Sequence, residues 1–168
     1  RITDWIGEEI LGEGLTAATH PMYYIRRELI PPYEPNEQST AYIKRTGKVI
    51  EENGKKRFQP LYYAGGFQGG KTGDFIKAMK VMRGNIEKDF NKNYIAIWND
   101  ESHFNRYLFD NTPSVILNPS YIYPDSLIAE YYVKKVWGRN FSPKIMTLTK
   151  SFTTSKEGGE AVSKLIDL

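Results

Sequence analysis

The chain has 168 residues, 40% of them hydrophobic and 26% charged, the make-up of about one soluble globular domain, and its net charge is only +3. So small a basic excess gives no reason to expect a nucleic-acid partner, and membrane association is not evident, since no apolar run reaches the roughly 18 residues of a membrane span and no signal peptide is visible. With no cysteine, a disulfide framework and a thiolate metal site are both excluded. Aromatic residues make up 14%, including 12 tyrosines and three tryptophans, and flat apolar faces edged with polar groups suit carbohydrate as well as a core.

Residues 1–20 read as a short amphipathic segment leading to a turn at Gly12 and Gly14, then A-A-T-H-P. The prolines of P-P-Y-E-P-N-E-Q-S-T (31–40) remove amide donors and predict a loop. K-R-T-G-K-V-I-E-E-N-G-K-K-R is charged and glycine-punctuated, so 44–58 reads as a surface insertion, a loop or small hairpin. R-F-Q-P-L-Y-Y-A predicts a strand, followed by a glycine-rich stretch. Next comes a helix with Phe75, Ile76, Met79, Met82, Ile86 and Phe90 on one face, its start capped by Thr72 or Asp74. Y-I-A-I-W (94–98) predicts a buried strand, 99–110 a second helix with Phe104, Tyr107 and Leu108 inward, and S-V-I-L (114–117) a short strand. Strands alternating with helices argue an α/β fold. About three strands are fewer than a sheet usually holds. Together with a start at Arg1, this predicts a fragment or processed product with an incomplete sheet.

Y-Y-A-G-G-F-Q-G-G-K-T-G-D contains Gly65, Gly70, Lys71 and Thr72 at the spacing of a phosphate-binding P-loop, between a predicted strand and helix. The aspartate of the later N-D-E mimics a magnesium-binding position. Against it, the glycines come as two pairs, and such a domain usually opens with this strand. A nucleotide hydrolase using Gly65–Thr72 and a glycine-rich turn of other purpose both remain open on pattern alone.

Five ordered blocks, A-A-T-H-P-M-Y-Y, S-T-A-Y-I, Y-Y-A-G-G-F-Q-G-G, I-A-I-W-N-D-E-S-H-F-N-R-Y-L-F-D-N-T-P and L-N-P-S-Y-I-Y-P-D, resemble glycosyltransferase family 6 over about residues 15–150. This is the family of the histo-blood-group A and B transferases, the α1,3-galactosyltransferase and bacterial relatives. The resemblance implies a GT-A fold, here a single partial catalytic domain over 1–168 without its N-terminal nucleotide-binding strands. It also implies retaining transfer of N-acetylgalactosamine or galactose from a UDP-sugar donor to a galactoside-containing glycan acceptor in an α1,3 linkage. The family's D-x-D or N-x-N motif would fall ahead of Arg1, so a requirement for Mn2+ stays open. So does localisation, which would be cytoplasmic for a bacterial- or phage-type member.

By the same resemblance, Glu101 lies beneath the anomeric carbon as nucleophile or oxocarbenium stabiliser, since retention needs two inversions or a shielded same-face attack. Its bland alternative is a carboxylate favoured at a helix start. Asp100 would accept hydrogen bonds from donor-sugar hydroxyls, or cap that helix. Ala64, Gly65 and Gly66 would line the donor-sugar pocket, with glycine at 66 leaving room for an N-acetyl group. Trp98 would offer its face to the acceptor galactose, unless it only packs. Asn99 stands where vertebrate members commonly carry histidine. His20, in H-P-x-[FY]-Y, would bind the acceptor, because a neutral imidazole both donates and accepts; otherwise it is a loop residue. Pro32 departs from the family's threonine, removing an acceptor contact. Lys144 and Lys150 would hold the UDP diphosphate as the tail closes, or merely be solvated. With His20 and His103 the only histidines, no metal site is expected in this chain. Residues 151–168 form a C-terminal tail, read as a short helix. A non-catalytic galactoside-binding fragment is the remaining alternative.

Overall fold

The computed structural model describes residues 1–25, 29–44, 48–52, 55–59, 61–125 and 142–147. Its centre is a mixed sheet in the order β4-β1-β5, formed by β1 (Leu15–Thr19), β4 (Tyr63–Gly70) and β5 (Val115–Leu117). β1 runs antiparallel to β4 and parallel to β5. Every residue of β1 is buried. Its two threonines tolerate this because their hydroxyls are paired, Thr16 with the carbonyl of Ile10 at 2.8 Å and Thr19 with that of Leu117 at 2.9 Å. The predicted amphipathic segment over 1–20 thus contains the central strand, preceded by a 3-10 turn at Glu8–Ile10.

The glycine-rich stretch is itself a strand. Leu15, Thr16 and Ala17 pair with Gly70, Gly69 and Gln68. Gly70 has φ +140°, and a Cβ there would fall 2.4 Å from the Gly14 carbonyl oxygen, so a side chain would force the two strands apart. The P-loop reading therefore fails. The backbone stays extended through Gly70 where a phosphate cradle must curl, the Lys71 amide continues the pairing by donating to the Gly14 carbonyl at 3.0 Å, and the Lys71 ammonium pairs with Glu13.

α2 (Thr72–Phe90) starts directly after Lys71, with no side-chain cap from Thr72 or Asp74. Its inward face is narrower than predicted. Ala78 and Met82 are buried, and Phe75 and Met79 lie against the same cluster, whereas Ile76, Ile86 and Phe90 are exposed. α3 (Asn99–Asp110) has the predicted bounds and drives Phe104 and Leu108 into that cluster beside Leu15, Ala17 and Tyr63, with Tyr107 partly buried against it. Burial of a ring such as Phe104 stabilises the fold by about 2–3 kcal/mol.

Residues 94–98 form no strand. Ile95 and Ile97 are 67% and 51% exposed, and only Ala96 is buried. The β-rich composition is overridden because no strand among the described residues pairs with the segment; it turns at Asn93 and Asn99, which hold positive φ of 55° and 47°. Within 44–58, β2 (Lys48–Glu52) and β3 (Lys55–Gln59) form a two-stranded antiparallel hairpin separate from the main sheet. The short helix α1 (Pro21–Ile25) follows β1. A 3-10 turn at Pro119–Ile122 leads to β6 (Tyr123–Pro124), which pairs in parallel with β7 (Met146–Thr147). Lys150 and the 151–168 tail lie outside the described residues. No helix among those described is long and apolar enough to cross a membrane.

Candidate active site

Glu101 sits in the first turn of α3 with its carboxylate directed at β4. Its Oε2 accepts from the Gly65 amide at 2.7 Å and its Oε1 from the Tyr62 hydroxyl at 2.7 Å. The absence of a side chain at Gly65 is what permits this approach: a Cβ there would stand 3.0 Å from Glu101 Cβ and 3.2 Å from Oε2. Two donors on two oxygens fix the plane of the carboxylate.

One turn further, Asn105 ties the helix to the same strand. Its Oδ1 accepts from the Tyr63 amide at 2.8 Å, while its Nδ2 donates to the Tyr63 carbonyl at 2.8 Å and to the Glu101 carbonyl at 2.9 Å. β4 thus receives α3 at two neighbouring points, and the position of Glu101 does not depend on its own side chain alone.

Behind the carboxylate lies an aromatic cluster. The Tyr62 ring contacts Tyr23, Tyr33 and His20 at centroid distances of 5.3, 5.5 and 5.8 Å. Burial, and then the hydrogen bond to Glu101, push the Tyr62 hydroxyl far above its usual pKa, so it remains a donor. The His20 amide donates to the Tyr62 carbonyl at 2.9 Å. Burial lowers the imidazole pKa, an effect that the nearby Glu101 partly opposes, and His20 is held neutral. Its Nδ1 accepts from the Met22 amide at 3.3 Å, which assigns the proton to Nε2.

Gly65, Gly66, Trp98, Asn99, Asp100 and Glu101 line one open depression of about 330 Å³. Six of the residues singled out from sequence are therefore brought together. Trp98 is 47% exposed and free to present a face, contrary to its reading as the end of a packed strand. Ala64 lies just behind, buried with Ala18, Leu117, Tyr121 and Ile122. A methyl on Gly66 would meet Ile122 Cδ1 at 3.0 Å. Lys144 is not in this lining. It lies 5.3 Å from the centroid of the Tyr121 ring and ion-pairs with Glu9, a contact that, with the Tyr121 hydroxyl donating to Glu9 at 2.6 Å, lowers the Glu9 pKa to about 2. Among the described residues no three His, Asp or Glu side chains gather to hold a metal ion, so no metal-dependent step is assigned to them.

Sequence reasoning missed Tyr62, Asn105 and Glu34. Asn105 had a usable signal, since it stands four residues after Glu101 and so on the same helical face. Tyr62 opens a quoted block but carried no spacing rule, and Glu34 was read only as part of a loop.

The model of glycosyltransferase family 6 matches residues 1–145. The chain belongs to glycosyltransferase family 6. It is 33% identical over 128 residues to the histo-blood group ABO system transferase 1 of Rattus norvegicus, covering 76% of this chain and 33% of that protein. Identity to the globoside alpha-1,3-N-acetylgalactosaminyltransferase 1 of Homo sapiens is 34% over 119 residues, 71% of this chain and 31% of that protein. With the O-antigen biosynthesis glycosyltransferase WbnI of Escherichia coli it is 32% over 111 residues, 66% of this chain and 42% of that protein. This family 6 chain therefore matches between 31% and 42% of the length of these relatives. Family 6 membership carries a GT-A-like fold in general; the mixed β4-β1-β5 sheet is not by itself the nucleotide-binding topology of that fold.

Proposed function

We propose that this family 6 chain forms the acceptor side and donor-sugar pocket of a retaining glycosyltransferase, which moves N-acetylgalactosamine or galactose from a UDP-sugar to a galactoside in an α1,3 linkage. The observation that carries the reading is the Glu101 carboxylate, fixed by Gly65 and Tyr62 at the wall of the depression. A carboxylate held in place beside a sugar-sized space suits stabilisation of positive charge at an anomeric carbon, or attack on it. If Glu101 attacks, its oxygen bonds to the anomeric carbon as the bond to UDP breaks. The acceptor hydroxyl then attacks from the opposite side, passing its proton to the departed UDP diphosphate as the bond to Glu101 breaks, and configuration is restored.

Around it, Asp100 takes the donor-sugar hydroxyls, Trp98 and Asn99 face the acceptor, and neutral His20 completes the acceptor contacts from behind Tyr62. Ala64, Gly65 and Gly66 wall the donor sugar. The N-acetylgalactosamine preference rests on the glycine at position 66, as the family resemblance implies. Such a steric preference is worth about 1–3 kcal/mol. Lys144 and Lys150 hold the diphosphate, Lys144 exchanging Glu9 for the leaving group.

The test is UDP release and product linkage in the full-length protein, with UDP-N-acetylgalactosamine and UDP-galactose as donors and a simple β-galactoside as acceptor. Glu101→Gln is expected to abolish transfer in a folded protein; wild-type turnover in that variant would sink the reading. Galactoside binding with no consumption of either donor would favour a non-catalytic binding module.

A further inference from the structure

The depression has two kinds of wall, and they are held in place by different means. Glu101 is fixed by Tyr62, Gly65 and the Asn105 clamp. Trp98 ends the segment 94–98, which leads into Asn99 at the start of α3, and the apolar side chains of that segment do little to anchor it, since Ile95 and Ile97 point largely into solvent. Something other than packing must fix that segment.

The Trp98 amide donates to Ser102 Oγ of α3 at 3.1 Å, and a buried carboxylate holds the residues before it. Glu34, only 1% exposed, comes from the proline-rich loop. Its Oε2 accepts from the Ile97 amide at 2.7 Å, and its Oε1 accepts from the Tyr94 hydroxyl at 2.7 Å and the Asn36 amide at 2.8 Å. The three donors come from both ends of the 94–98 segment and from the loop itself. Only an acceptor-only group satisfies this arrangement, because an amide nitrogen in place of either oxygen would face a backbone N–H.

We infer that Glu34 is a positioning residue for acceptor recognition, acting through Ile97 on Trp98 and Asn99; this rests on the transferase reading above. Asp89 supplies an internal comparison. It too is a buried carboxylate bound to the 31–44 segment, accepting from the Ser39 hydroxyl at 2.6 Å and the Thr40 amide at 2.9 Å. Its side chain makes no hydrogen bond to 94–98; only its backbone carbonyl does, accepting from the Tyr94 amide at 3.0 Å. Loss of either carboxylate weakens the fold, but only loss of Glu34 frees the acceptor wall.

The experiment compares wild type, Glu34→Gln and Asp89→Asn in the full-length protein. Three readouts are taken: acceptor KM, hydrolysis of the UDP-sugar without acceptor, and hydrogen exchange of the Ile97 amide. Glu34→Gln should raise acceptor KM about tenfold, leave hydrolysis within about twofold and speed Ile97 exchange about tenfold, the scale of one lost charge-assisted hydrogen bond. Asp89→Asn should leave acceptor KM and Ile97 exchange near wild type. Transfer and hydrolysis falling together in both variants, or an unchanged Ile97 exchange in Glu34→Gln, overturns the inference. Should Glu34→Gln fail to fold, Tyr94→Phe removes one of the three bonds; an acceptor KM about threefold higher at unchanged hydrolysis supports it, and an unchanged KM overturns it. A wild-type protein that consumes no UDP-sugar overturns the transferase reading instead, and galactoside affinity then replaces KM.

Discussion

Gly65 and Glu101 are matched in shape as well as in hydrogen bonding: the amide of one donates to Oε2 of the other at 2.7 Å, and the space a methyl would need is taken by Glu101 Cβ at 3.0 Å. Gly65→Ala therefore has to move the carboxylate by a few tenths of an ångström or tilt β4. Steady-state transfer is expected to fall about tenfold or more through kcat, because reaction geometry is sensitive at that scale. A thermal melt should show only a modest loss. Unchanged kcat in Gly65→Ala would show that Glu101 tolerates displacement.

Tyr62→Phe keeps the ring and its contacts with His20, Tyr23 and Tyr33 but deletes the donor to Glu101 Oε1. Loss of one charge-assisted bond should cost about 1.5–3 kcal/mol of Glu101 ordering, read as a kcat lower by roughly tenfold to a hundredfold. KM for the acceptor should barely change. If KM rises alone, Tyr62 touches the acceptor and does not merely hold the carboxylate.

Asn105→Ala strips the partners from both the N–H and the C=O of Tyr63 in the interior. Each unsatisfied backbone group costs about 1–3 kcal/mol. Chemical denaturation should show a destabilisation of at least about 2 kcal/mol, together with reduced transfer. A variant as stable as wild type would mean that water replaces the amide without penalty.

Acid should act on stability through both histidines. Burial lowers the pKa of His20 and of His103 below 6.5, so the unfolded chain takes up protons first as pH falls. Their contribution is complete above about pH 6.5 and is lost as pH drops towards the lowered folded values. Unfolding midpoints measured from pH 8 to 5 should decline below about 6.5. In His103→Gln the slope of that decline should be shallower, and an unchanged slope would remove His103 from the account.

The parts of this fold that could be read from the sequence are those where local and tertiary preferences agree. α3 kept its expected bounds because the residues it buries, Phe104 and Leu108, recur at helical spacing. β1 escaped notice because L-T-A-A-T is small and half polar, and it is stable at the centre only because two remote carbonyls receive its threonine hydroxyls. Y-I-A-I-W misled in the other direction: its composition suits a strand, but no edge is offered to it. Glu101, Asp100, Trp98, Asn99, Gly65 and Gly66 converge as one lining, and their identity was readable because they occur in two recognisable blocks. Glu34 was not, since what it does depends on backbone groups that no side-chain pattern records.

The four glycines of β4 look interchangeable in the sequence, yet each has a different tolerance. Gly65 is closed by Glu101, Gly66 is narrowed by Ile122, and Gly70 is shut by the backbone of Gly14 and Leu15, whereas a Cβ at Gly69 would meet nothing within 4 Å. Gly69 also borders a separate hollow with Lys71 and Phe67. In a chain without cysteine, a thiol placed at Gly69 would be chemically unique. It would put a spectroscopic label three residues from Gly66, able to follow how β4 responds to substrate without standing in the depression.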